Sequence, residues 1–124
     1  MVMAEDLFEQ YVADAIEHIP RKYASHLKHV AFIIEDSPTN IQRQKLNLRP
    51  CDALFGLYEG VPLPSRGGRI LTVPPDIITI FRYPMVEMFK DSTTLKKQIY
   101  ETVWHEVGHM FGLDHAMINE LKQD

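Results

Sequence analysis

Leu7, Phe8, Tyr11, Val12, Ala15, Ile16 and Ile19 recur at the three-and-four spacing of a single helical face. Glu5 and Asp6 suit the N-terminal end of such a helix and Pro20 closes it, so a helix over 4–19 is expected. The run "HVAFIIED" (29–36) is then almost unbroken by polar residues and rich in β-branched ones, the pattern of a strand buried on both faces. Ser37 to Asp52 is polar and carries Pro38 and Pro50, a long connection with room for a short helix at most. "ALFGLYEG" (53–60) is a second strand candidate, and "VPLPSRGG" after it reads as a surface loop. "RILTV" (69–73) suggests a short returning strand, and "DIITIFRY" (76–83) a third strong one.

Pro84 to Lys90 has the length for one or two helical turns. From Thr93 to Phe111 the spacing predicts one long helix, with Asp91 or Ser92 as N-cap and Gly112 as the left-handed residue that stops it. A last short helix is expected from Asp114 towards Lys122. The order of one helix, then strands, then helices gives an α+β domain, with a small twisted sheet of three to four strands packed on helices. Spacing along the chain does not give the strand order.

Composition narrows the class. A chain of 124 residues supports one core, so a single domain over 1–124 is expected. With 45% hydrophobic and 24% charged residues it reads as a soluble globular protein. No stretch approaches the roughly 18 apolar residues of a membrane span. The acidic start "MVMAEDLFEQ" lacks the basic and apolar regions of a secretory signal. Cys51 is the only cysteine, so no intrachain disulfide can form and a reducing cytoplasm is the expected setting. A net charge of -4 argues against a phosphate-backbone partner, so no nucleic acid and no membrane is expected to bind.

The candidate chemistry lies in "WHEVGHMFGLDH" (104–115), where three of the six histidines meet one glutamate and two glycines. On a helical wheel with His105 at zero, His109 falls at about 40°, so both imidazoles leave one face a turn apart. Leu95, Ile99, Val103, Met110, Val107, Tyr100, Phe111 and Trp104 occupy the arc from about 80° to 260°. The histidines therefore share the narrow polar face with Gln98, Glu101 and Thr102, where they would line a cleft. Two ligands are too few for tight zinc. Gly112 can take a positive φ and turn the chain back, letting His115 reach the same ion. Three imidazoles leave the fourth tetrahedral position to water, whose pKa zinc lowers to about 7, with Glu106 beside it as general base. A glycine and a third histidine at fixed offsets lower the chance rate of the H-E-x-x-H string by on the order of several hundredfold.

The complete string H-E-x-x-H-x-x-G-x-x-H resembles the zinc signature of the zincin metallopeptidases, in its extended form that of the metzincins. Metzincins place a methionine turn well downstream of the third histidine, whereas nine residues follow His115 here and Met117 is too close to serve. The chain is closer to the small bacterial single-domain zincin-like proteins called minimal metallopeptidases. It is similar to them in the early helix and in "VAFIIED", "GLYEGVPL", "DIITIFRYP" and "HEVGHMFGL". The resemblance implies a zincin-like fold, a cytosolic setting and a zinc peptidase acting on peptides or proteins. Its ligands would be His105, His109 and His115, with Glu106 as catalytic base. The family more often has aspartate at the third ligand position; here His115 keeps the signature offset and Asp114 precedes it as a second group able to approach the metal.

Other features have plainer readings. His26 and His29 are expected at the surface, Cys51 as a buried or loop thiol, and Arg66, Arg69 and Arg82 in solvent. Gly108 is expected to allow close helix packing, and Tyr58 to be a core or rim residue rather than an oxyanion donor. Two other functions stay open. One is a metal-dependent endoribonuclease, since one rRNA-processing family has a three-histidine string ending as "GLDH" does, though usually with glycine in place of Glu106. The other is a non-catalytic zinc-binding module, against which stands the preference of structural zinc for four protein ligands. For a peptidase, the segment from Gly56 to Pro64 is the expected substrate edge, because Pro62 and Pro64 lack ladder donors.

Overall fold

The computed structural model describes residues 5–49, 52–60 and 76–112. The first helix, α1 (Glu5–Glu17), buries Phe8, Val12 and Ala15 of the expected stripe, with Ile19 buried just beyond its end. Leu7, at the margin of that stripe, stays 44% exposed. Pro20 begins a single turn, α2 (Arg21–Ala24), and its carbonyl accepts from the N–H groups of Tyr23 and Ala24.

Three strands form the described sheet: β1 (Val30–Glu35), β2 (Gly56–Glu59) and β3 (Asp76–Phe81), in the order β1-β3-β2. β1 runs parallel to β3, with Val30 opposite Asp76 and Glu35 opposite Phe81. β2 runs antiparallel to β3, with Gly56 opposite Ile80 and Glu59 opposite Ile77. Between β1 and β2 lies the short helix α3 (Asn40–Lys45). It starts from a capping box in which Thr39 and Gln42 each accept the other's backbone N–H.

Contrary to expectation, "HVAFIIED" does not form a doubly buried strand. β1 lies at one end of the described sheet and alternates between half-buried and exposed, with Ile33 37% exposed. The doubly buried strand is β3, where every residue except Ile77 is buried. An apolar run shows that a strand can be covered on both faces, while its place in the sheet decides whether it is.

β3 ends at Phe81, earlier than expected, and Arg82 opens α4 (Arg82–Met88). Pro84 falls in the first turn, where a missing N–H does no harm. Arg82 does not point to solvent: its side chain is 9% exposed, and its Nη2 and Nε atoms donate to Asp36 Oδ1 at 2.8 and 3.2 Å. The Tyr83 N–H also donates to the Asp36 carbonyl. The end of β1 and the start of α4 are thus tied by one ion pair and one backbone bond.

The last described helix, α5 (Ser92–Met110), follows the expected bounds closely. Asp91 caps it by accepting from the Thr94 N–H at 2.9 Å, and Gly112 ends it with a φ of 75°. Leu95, Ile99, Val103, Trp104, Val107 and Met110 are buried along its apolar side. Most of them share one cluster with Phe8 and Val12 of α1, Ile78 and Ile80 of β3, and Met85 and Val86 of α4. No described helix is long and apolar enough to cross a membrane.

Candidate metal centre

The core of the site is one turn of α5. His105 and His109 have ring centroids 4.6 Å apart at an interplanar angle of 85°, and both are half-buried. Each of His105, Glu106 and His109 offers a ligand atom, and these atoms lie within 4.8 Å of one another. Among the described residues no other group of three such side chains comes together. The i, i+4 spacing produces this directly, as the wheel requires.

Glu106 is placed by the strand opposite. In β2, Leu57 and Glu59 stand in the same alternation as Phe55, whose carbonyl accepts from the Phe81 N–H. The intervening Gly56 and Tyr58 therefore turn their backbone groups away from β3. The Tyr58 N–H meets the Glu106 carboxylate there. Glu106 is only 8% exposed, and burial lifts its pKa from 4.5 to about 7, opposed in part by that N–H.

Such burial needs strand and helix to approach closely, and Gly56 permits it. A Cβ at Gly56 would lie 2.7 Å from Thr102 Cγ2 and 3.2 Å from Glu106 Cγ. This role of Gly56 has no signal in the sequence, because close approach between distant segments leaves no periodicity. Thr102 lines the cleft beside His105, as its place on the wheel implies, but it is also packed under Gly56 and largely buried, and its Oγ1 accepts from Gln98 Nε2 at 3.4 Å.

A cleft of about 340 Å³ opens beside His105 and Glu106, walled by Leu54, Phe55 and Gly56 on one side and by Gln98, Glu101 and Thr102 on the other. The Tyr58 hydroxyl is committed to Asp76 Oδ1 at 2.7 Å; what this residue gives the site is its main-chain donor. His26 and His29 are exposed, as expected, with His26 edge-on to Phe111. His115, Asp114, Cys51, Arg66, Arg69 and the segment "VPLPSRGG" lie outside the described residues.

The donor set suits a borderline divalent ion: two imidazoles a turn apart and a carboxylate held beside them. The sequence model of zincin-like metallopeptidases matches residues 27–124. The chain belongs to that family. No curated protein matches it. The zincin-like match takes in the whole described sheet and α5 but leaves α1 outside, although α1 packs directly on α5. Family membership implies a bound metal, typically zinc, and the paired histidines with Glu106 are where the described chain can hold one.

Proposed function

We propose that this protein is a zinc-dependent peptidase that hydrolyses peptide bonds in peptides or proteins. The observation that carries the reading is the position of Glu106, buried against β2 beside two imidazoles that can share an ion. His105 and His109, with His115 at the signature offset, would hold the zinc. When bound, the ion supplies Lewis acidity, polarising the scissile carbonyl and acidifying a water to a pKa of about 7.

The chain's own residues do the rest. Glu106, whose burial raises its pKa in the metal-free chain, would take a proton from the attacking water and pass it to the leaving amine. The Tyr58 N–H that faces the carboxylate favours its charged form. β2 pairs with β3 on one side only among the described residues, and it adjoins Glu106. An extended substrate added along its outer edge would lie across the site, held by main-chain bonds. The cytoplasm is the proposed setting, on the strength of a lone cysteine.

Cleavage of RNA is the poorer fit. The described cleft walls carry two carboxylates, Glu101 and Glu106, and neither lysine nor arginine, so a phosphate backbone would be repelled. A decisive test loads the protein with zinc and offers it mixed peptides and, separately, RNA. Peptide cleavage that disappears in Glu106→Gln while zinc stays bound supports the reading. Loss of zinc in that variant would make Glu106 a ligand, and RNA cleavage alone would replace the substrate class.

A further inference from the structure

We infer that the cleft beside His105 and Glu106 selects substrates with a basic side chain, lysine or arginine, next to the scissile bond; this rests on the peptidase reading above. The walls are unequal in chemistry. Leu54, Phe55 and Gly56 offer apolar surface on the strand side. Phe55 is held edge-on by Phe89, with ring centroids 5.6 Å apart, so that wall is fixed. On the helix side the Gln98 amide nitrogen is directed to Thr102, leaving its oxygen, and the Glu101 carboxylate stands one turn before His105.

Glu101 is half-buried, and no described residue makes a hydrogen bond or ion pair with its carboxylate. A carboxylate in that position attracts a cation that can shed part of its water. The described lining holds neither lysine nor arginine to compete. A long side chain with an apolar stem and a cationic end fits both walls, its methylenes on Phe55 and Leu54 and its head at Glu101. An acidic side chain would meet like charge, and a short apolar one would leave Glu101 as it is.

The test has two arms. Zinc-loaded protein is given peptides that differ only at residues flanking the cleaved bond, basic, aliphatic or acidic. Separately, N-acetylarginine amide, N-acetylnorleucine amide and N-acetylglutamate amide are titrated in and followed by NMR. Peptides with lysine or arginine should be cleaved roughly tenfold more efficiently in kcat/KM than acidic ones, and Glu101→Lys should reverse the order with zinc content unchanged. The arginine amide should perturb the backbone signals of Phe55 and Gln98, and Glu101→Gln should weaken that binding several-fold. Equal cleavage of all peptides, or an unchanged order in Glu101→Lys, overturns the inference. If no peptide is cut, the peptidase reading fails, and the titration alone decides whether the cleft recognises a cation. An arginine amide that binds no better than its norleucine counterpart overturns it there too.

Discussion

The backbone N–H of Tyr58 faces the Glu106 carboxylate, so the strand that borders the cleft also acts on the group proposed as its base. The geometry follows from pairing: Tyr58 is turned outward because Phe55 bonds inward to Phe81. An acidic group near neutral pKa in a cleft is thus the joint product of one helix and one strand 48 residues apart in sequence, Tyr58 to Glu106.

The metal-free protein should lose stability as pH rises. Glu106 has a folded pKa of about 7 against an ordinary 4.5, so between those values the folded chain keeps a proton that the unfolded chain has released. Stability is full below the ordinary value, falls through the window and levels off above about 7, at a deficit on the order of 3 kcal/mol. Glu106→Gln has no such proton to lose. Denaturation in chelator at about pH 5 and about pH 8 should show the variant the more stable at the higher pH, with little change of its own. An identical fall in both proteins would place the titrating group elsewhere.

Gly56→Ala should destabilise the fold by about 1–3 kcal/mol, because the new methyl meets Thr102 Cγ2 and strand must part from helix. Combining it with Thr102→Ser, which removes that methyl, should recover part of the loss. Strict additivity of the two changes in a denaturant cycle would show that the contact is not the cause.

His109→Ala should sharply reduce zinc uptake, since one of the two imidazoles facing the shared space is gone. Helical content should persist, as the half-buried ring is no part of the apolar cluster. Metal analysis with circular dichroism would check both, and undiminished zinc would remove His109 from the ligand set.

Asp36→Ala should cost about 2 kcal/mol, because it leaves the buried Arg82 guanidinium without its Asp36 partner. Replacing both residues, Arg82→Met with Asp36→Ala, should be milder than the single change. Urea melts of the three proteins give the comparison; a neutral Asp36→Ala would mean that Arg82 is satisfied by other groups.

What the sequence made legible was whatever is written within one element. α5 is delimited by Asp91 and Gly112, and both act as local chemistry requires. The convergence of His105 and His109 needs nothing beyond helical spacing. What stayed hidden depends on partners far along the chain. β1 and β3 have equally apolar sequences, and only pairing puts one at the end and the other in the middle. Arg82 resembles any surface arginine until the fold brings Asp36 to it, and Gly56 matters only because Thr102 lies opposite.

α1 lies outside the family-matched range, yet Phe8, Val12 and Ala15 belong to the cluster that backs α5. The stretch of chain that identifies the family is therefore smaller than the stretch that supports its site. A protein trimmed to begin at residue 27 would keep every group proposed for chemistry and lose the wall those groups lean on. The apolar back of α5 would meet water, and the site would be carried by a helix in search of another cover.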